Sequence, residues 1–215
     1  MSEIHTATVL SSEPAGPGFH MVVAEACAPL TALPGQWGAF HTDIPNPEKP
    51  GQTLRRAWSF AEIGGSRFRL FVATVGPATR WLVARKPGDA LPFTGPWGSR
   101  FRLDDGVGPV GFFAAGSGIS PIGAMVDSCI ARGRPARLLW ETPVASMLDR
   151  VDSWKAAGVR VEISPQLSPR PDDATWWLAG DGARLDEVES LFSPTPERIE
   201  RFYTPRPPSV MGASA

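Results

Sequence analysis

The residues of this chain that could do chemistry fall in four short clusters, and none of them is an acid–base pair or a metal knuckle. The first is Arg56-Ala57-Trp58-Ser59, which follows the polar loop Pro45-Asn46-Pro47-Glu48-Lys49-Pro50-Gly51. In an extended chain alternate side chains share a face, so Arg56 and Trp58 point one way and the backbone between them stays open to a ligand. A guanidinium answers a phosphate, a flat aromatic answers a flat ring, and hydroxyl and amide donors answer ring heteroatoms. A flavin asks for that set. The competing reading is a strand with a surface arginine and a core tryptophan.

The second cluster is Val75-Gly76-Pro77-Ala78-Thr79, where a strand breaks into a helix start. A helix N-terminus carries unpaired N–H groups and a partial positive charge, which suits a pyrophosphate. Thr79 as a plain helix cap is the alternative. The third is Gly95-Pro96-Trp97-Gly98, after Pro87-Gly88-Asp89, where glycines permit tight turning. The fourth is the apolar run Val110–Ala115 leading straight into Gly116-Ser117-Gly118-Ile119-Ser120-Pro121. Glycines there let a ligand approach the backbone, Pro121 suits a first helical turn, and ligands of open α/β sheets lie at such strand ends. A structural strand-to-helix turn is the other reading.

These clusters need two kinds of scaffold. Up to about residue 105, Gly and Pro punctuate short β-like runs: Thr6–Leu10, Phe19–Ala24, Trp37–Thr42, Ala57–Ala61, Phe68–Val75 and Ala90–Phe93. Such a series predicts an antiparallel barrel or sandwich, with one short helix over 79–84. From Val107 the texture becomes β/α: strand Pro109–Ala115, helix Pro121–Arg132, strand Ala136–Glu141, helix Met147–Ala157, strands Val159–Ser164 and Thr175–Ala179, and helix Leu185–Phe192. That order predicts a parallel sheet. The proline-rich remainder reads as an extended tail. The expected organisation is therefore a β-barrel domain over 1–105, a compact parallel α/β domain over 106–195 and a tail over 196–215.

Composition excludes several classes. Hydrophobic residues at 42% and charged residues at 20% allow a packed core, and a net charge of -1 gives no field for nucleic acid or an anionic membrane. No run approaches the ~20 apolar residues that span a bilayer, and the N-terminus lacks a secretory signal, so the cytoplasm is the expected compartment. Two cysteines, Cys27 and Cys129, without CxxC spacing, read as buried free thiols and cannot build an iron–sulfur cluster alone. His5, His20 and His41 fall in no motif, and no general base is assigned.

The four clusters, in this order and spacing, resemble the signatures of the ferredoxin reductase superfamily. Leu54-Arg55-Arg56-Ala57-Trp58-Ser59 is similar to that family's flavin motif of Arg, any residue, Tyr and Ser, with Trp58 in place of the tyrosine. Gly76 to Thr79, Pro87-Gly88-Asp89, Gly95 to Gly98 and Gly116 to Pro121 resemble the remaining signatures, and Gly180-Asp181-Gly182 resembles a late Cys-Gly-Pro strand end without the cysteine. Within the superfamily the double arginine, the Gly-x-x-Thr and the Gly-Pro-x-Gly followed by Phe101 look most like the electron-transfer subunit of dihydroorotate dehydrogenase, but its iron–sulfur cysteines are missing.

The resemblance implies FAD as cofactor and NAD(H) or NADP(H) as co-substrate. Arg56 would bind the flavin phosphates, Trp58 would pack on the isoalloxazine and Ser59 would lie near its reactive nitrogen; Ala57, Val72, Ala73, Ala78 and Thr79 complete the flavin contacts. Gly116, Ser117 and Gly118 would approach the nucleotide, with Asp181 near the nicotinamide. Trp140-Glu141-Thr142 ends the second parallel strand with an acid and no base, which favours NADH over NADPH. About ten residues separate Ser164 from Thr175, where the family places another helix, so the second domain is lean. Two functions are expected: a flavin oxidoreductase moving electrons from NAD(P)H to a protein or small-molecule acceptor, or a flavin-loaded subunit of a larger complex with an impaired nucleotide site. A barrel holding another ligand and no flavin is a third. A redox partner protein or subunit is expected, and a homodimer is left open.

Overall fold

The computed structural model describes residues 3–98, 108–142, 148–192 and 196–202. The first part is antiparallel, with β1 (Ile4–Pro14), β2 (Phe19–Ala26), β3 (Trp37–Pro45), β4 (Thr53–Ser59), β5 (Glu62–Gly64), β6 (Arg67–Ala73) and β7 (Ala90–Trp97). One helix, α1 (Pro77–Val83), separates β6 from β7. The second part is parallel: β8 (Val110–Ala115), β9 (Ala136–Glu141), β10 (Arg160–Ser164), β11 (Thr175–Asp181) and β12 (Arg198–Phe202). Its helices are α2 (Ile119–Ala131), α3 (Leu148–Ala156) and α4 (Gly182–Val188). The domain boundaries expected at 105 and 195 lie outside the described residues.

The antiparallel sheet has the order β4-β3-β7-β1-β2-β6-β5. Its two edge strands, β4 and β5, are consecutive in the chain, so the sheet must curl into a half-barrel to bring them together. Phe60 and Ala61 bridge the gap: the Phe60 N–H donates to Gln36 O (3.2 Å) and the Ala61 N–H to Arg69 O (2.9 Å). Inside, Phe40, Phe60, Phe68 and Phe93 form one aromatic cluster with ring centres 5.2 to 6.4 Å apart. Gly38 makes room for it, since a Cβ there would lie 2.8 Å from the Phe40 ring and 3.2 Å from Phe60 and Phe93. Helix α1 closes one end with Ala78 and Leu82, and Ser12 Oγ donates to Val83 O (2.9 Å).

Sequence reading put the fourth strand at Ala57–Ala61. It runs instead from Thr53 to Ser59, because Arg55 and Arg56 pair with His41 and Phe40 of β3. An edge strand tolerates such charges.

In the parallel sheet the order is β10-β9-β8-β11-β12. β8 lies at the centre and every one of its residues is buried, which is why its sequence is an unbroken apolar run. One face is covered by α2 and α3, through Ile119, Ile122, Val126, Cys129, Val151 and Trp154. The other is covered by α4, Phe192 and a helix-free crossing over 165–174 that buries Leu167. Two expectations are corrected. Arg198–Phe202 is no free tail: it pairs along β11 from Trp177↔Arg198 to Asp181↔Phe202. The last helix starts at Gly182, because the Asp181 carboxylate caps it by accepting from the Arg184 N–H (3.1 Å).

Two bonds, the first of them buried, hold the halves together. Ser120 Oγ, in the first turn of α2, donates to Phe71 O on β6 (2.6 Å), and Arg150 Nη1, on α3, donates to Ala61 O (2.7 Å). Arg150 also pairs with Asp127, which accepts from Trp154 Nε1 (2.6 Å). Among the described residues no helix is long and apolar enough to cross a membrane, and no cluster of three or more His, Cys, Asp or Glu could hold a metal.

Cys129 is fully buried in α2, where burial pushes its thiol up to about 11, whereas Cys27 is exposed, against the expectation that both are buried. A thiol reagent at mildly alkaline pH is therefore expected to label Cys27 alone in the folded protein, and Cys129 only after denaturation; mass spectrometry of the labelled peptides reads this.

Candidate functional site

The candidate site begins on β4, whose outer edge has no partner strand among the described residues. Across β3 and β4 the paired residues include Phe40↔Arg56, Gly38↔Trp58 and Trp37↔Ser59, and the Phe60 N–H bonds Gln36 O one step further on. Hydrogen-bonded pairs alternate along an antiparallel ladder, so Arg56 and Trp58 direct their main-chain groups at β3 while those of Ala57 and Ser59 face the open edge. Arg56 is exposed and Ser59 half-buried. Arg56 Nη1 bonds only the neighbouring Arg55 O (3.0 Å). Neither Arg55 nor Arg56 has a carboxylate partner among the described residues, and Arg80 on α1, a helix that packs on β4, has none either. Most other described arginines are paired: Arg67 with Glu25, Arg69 with Glu62, Arg85 with Asp89, Arg150 with Asp127. Arg55, Arg56 and Arg80 thus form one group of unneutralised guanidiniums at this corner.

Trp58 stands two residues from Arg56, but its side chain is turned into the barrel core whereas that of Arg56 is exposed. The indole is 8% exposed and its ring centre lies 5.2 Å from Phe40. Gly38 is its partner on β3. The competing reading, a surface arginine beside a core tryptophan, describes these two side chains, and only a small remnant of the indole is left for a ligand.

The next corner joins β6 to α1. Val72 (4% exposed) and Ala78 (4%) are core side chains, so they offer backbone alone; Ala73 and Thr79 are half-buried. The Thr79 hydroxyl accepts from the N–H groups of Val75 (3.1 Å) and Gly76 (3.0 Å) and donates to Gly76 O (3.0 Å). It caps its own helix start, the alternative named for it from sequence.

At the seam the α/β sheet meets β6. Phe19 pairs with Ala73, and its ring lies 3.5 Å from the point where a Cβ on Gly116 would stand. Trp140 Nε1 donates to Gly116 O (3.0 Å), holding the Gly116–Gly118 turn over the end of β8. Gly116 and Ser117 are half-buried, whereas Gly118 is buried against β11: a Cβ on it would fall 2.0 Å from Ala179 O. Gly118 therefore serves close packing of turn on strand. Val72, Ala73, Gly116, Ser117 and Gly118 are brought together here, with Ala61, two residues beyond Ser59, bonded to Arg150 on the same seam. Asp181 stands at the end of β11 and caps α4.

At the carboxyl end of β9 the acid read as free is not free. Glu141 Oε1 accepts from Arg184 Nε (2.8 Å), and Oε2 accepts from Arg184 Nη2 (2.8 Å) and the Leu167 N–H (2.9 Å). The same Nη2 donates to Leu167 O (2.7 Å), and Nη1 to Glu187 (2.9 Å). Hydrogen bonding to Glu141 is the main cause that raises the Arg184 pKa above its usual value. The inference of an NADH preference from an unopposed acid therefore fails, because its charge is offset at hydrogen-bond distance. Sequence reasoning missed Arg184, although a cation in the first turn of a helix opposes the helix dipole and so points to an acidic partner. It also missed Glu200, half-buried on β12 beside Ala179, whose carboxyl is pushed up by burial against the opposing pull of Arg198.

No protein-family model matches the chain. Among curated proteins, a 93-residue stretch is 33% identical to ferredoxin–NADP reductase B of Sorangium cellulosum (strain So ce56), over 41% of this chain and 38% of that protein, so the match spans well under half of that relative. Among solved structures, the Amycolatopsis cytochrome P450 reductase GcoB superposes with a TM-score of 0.76 at 22% identity, over 93% of this chain and 69% of that one. The ferredoxin reductase of carbazole 1,9a-dioxygenase gives 0.75 at 21%, over 94% and 70%. The flavohem-like FAD/NAD-binding domain of a nitric oxide dioxygenase from Vibrio cholerae O1 biovar El Tor gives 0.73 at 16%, over 92% and 98%. Likeness at these identities speaks for the fold: a curled antiparallel sheet followed by a parallel α/β sheet, as read from the sequence.

Two outcomes follow from the geometry. Gly118→Ala must push the turn off β11 and is expected to lower unfolding free energy by about 1–3 kcal/mol in urea titrations. His41, opposite Arg55, has its pKa lowered below 6.5, first by burial and then by that arginine. The unfolded chain then binds the proton more readily, so this contribution to stability is intact above pH 6.5 and is lost as the pH falls through the lower folded value. Urea midpoints are expected to drop across that window more steeply for the natural protein than for His41→Gln.

Proposed function

We propose, starting from its ferredoxin reductase-like fold, that the chain is a flavin-dependent oxidoreductase that carries electrons from a reduced pyridine nucleotide to a protein or small-molecule acceptor. The observation that carries this reading is the set of guanidiniums without carboxylate partners at one open strand edge, Arg55 and Arg56, with Arg80 on the helix packed beside it. Uncompensated like charges repel, so a cluster left unneutralised is suited to an anion from outside the chain. The donor set fits FAD: arginines for its phosphates, and the outward main-chain groups of Ala57 and Ser59 for its ring heteroatoms.

FAD, when bound, supplies acceptance of a hydride and release of electrons one or two at a time. The chain's own residues have narrower work. Arg56, helped by Arg55, binds phosphate; Ser59 and Ala57 orient the ring by hydrogen bonds from the edge; Ala73, Ala78 and Thr79 line the corner with backbone. Gly116 and Ser117, ahead of the 13-residue helix α2, face the pyridine nucleotide with no acidic residue in the first turn. Ser120 and Arg150 hold the two sheets against each other, so that rings bound by either sheet would meet across this seam. Trp58 borders the site from within the barrel. The likeness to a dihydroorotate dehydrogenase subunit, and with it a partner supplying an iron–sulfur cluster, belongs to this proposal as its narrower form.

A second reading has an observation of its own. The clamp of Glu141, Arg184 and Leu167 fills the end of β9, which favours a flavin-loaded subunit whose nucleotide site is impaired.

Anaerobic addition of NADH or NADPH to FAD-loaded protein separates the two. Loss of the flavin absorbance is expected; full absorbance after excess of both would sink the reductase reading and leave the second. Arg56→Ala is expected to weaken FAD binding by about tenfold or more in fluorescence titrations, the scale of a charge-assisted hydrogen bond.

A further inference from the structure

We propose that Glu141 and Arg184 together set which pyridine nucleotide the parallel sheet accepts and that, paired as they are, they leave the site nearly indifferent to a 2′-phosphate on the ribose. The proposal rests on the pyridine-nucleotide reading above. Open parallel sheets bind ligands beyond the carboxyl ends of their strands, and an acid closing the strand after the glycine turn is placed for the ribose hydroxyls. Here β8 leads into the Gly116–Gly118 turn, and the next strand, β9, ends on Glu141.

A free carboxylate at that place does two things: it accepts the two hydroxyls of an unphosphorylated ribose and repels a phosphate dianion. A free guanidinium does the reverse. Neither group is free. The Arg184 fork meets Glu141 side-on through Nε and Nη2, and the Leu167 N–H takes a further lone pair of the same carboxylate. Both side chains are largely shielded, Glu141 being 13% exposed and Arg184 23%, so solvent weakens this pair less than a surface one.

Other charges facing Arg184 change this little. Glu187, its third partner, is 66% exposed and screened, and the Asp181 carboxylate is engaged with the Arg184 N–H at the start of α4. Attraction and repulsion toward the 2′-phosphate therefore arise a few ångströms apart and largely cancel. Selectivity by charge is latent, and removing either partner exposes the other.

The test compares adenosine 5′-monophosphate with adenosine 2′,5′-bisphosphate, which differ by the 2′-phosphate alone, in calorimetric titrations of the full chain. The two are expected to bind the natural protein within about threefold of each other. Glu141→Gln, which keeps the shape, removes the charge and leaves one oxygen to accept, is expected to shift the ratio at least about tenfold toward the bisphosphate, and Arg184→Met at least about tenfold toward the monophosphate, with the double variant returning to near unity. Arg184→Met strands a shielded carboxylate and can fail to fold; Arg184→Lys, which keeps the charge, is then the control and is expected to hold the natural ratio within about threefold.

The proposal is overturned if the natural protein discriminates by more than about tenfold, if Glu141→Gln leaves the ratio unmoved, or if neither ligand binds. Flavin plays no part in these titrations. A colourless protein that still binds both nucleotides would strike the flavin reading and spare this one, and a yellow protein that binds neither would strike this one and spare the second function reading.

Discussion

The hydroxyl of Ser120 donates to the carbonyl of Phe71 at 2.6 Å with both groups buried, and the meeting of the two halves at the glycine turn depends on that contact. It seats the first turn of α2 on the end of β6, so a glycine turn of the parallel sheet meets two residues of the half-barrel. Phe71 itself packs in the core of the α/β half, as does Ala61, whose carbonyl takes Arg150. Buried polar groups that lose a partner carry the full cost of desolvation, about 1–3 kcal/mol each, so such a seam keeps one register. Two layers that slid past each other would separate the clusters read as one site.

Charge is distributed with the same economy. Several arginines are matched by carboxylates, among them Arg67, Arg69, Arg85 and Arg201. At the carboxyl end of β9 the matching is complete enough to silence Glu141. On the edge of β4 it is missing, and Arg55 and Arg56 stand beside an unpaired backbone. A molecule with a net charge of only -1 thus holds one corner electropositive and another neutral by pairing alone.

How much of this was legible in the sequence depends on how local the determinant was. β9 at Ala136–Glu141 and the buried β8 came from apolar runs bounded by turn residues, and both are where they were read. β5 escaped because three residues, Glu62-Ile63-Gly64, carry no period. β12 escaped because Arg198-Ile199-Glu200-Arg201-Phe202 alternates weakly amid prolines, and its place is set by β11 rather than by its own composition. The site divided along the same line. Spacing put Arg56 and Trp58 on one face, but the fold turns Trp58 into the core beside Phe40 of the neighbouring strand and leaves Arg56 exposed. Glu141 read as an open acid because its partner Arg184 lies 43 residues further along the chain.

Hydrogen–deuterium exchange of the full chain with and without saturating FAD is the most direct test of a flavin seated along the open β4 edge and the seam. Slower exchange on addition of FAD is expected at Ala57 and Ser59, at 73–79 and at Gly116–Ser117, with the buried strand β8 unchanged. Protection confined to other segments, or none at all under conditions where FAD is in large excess, would contradict it.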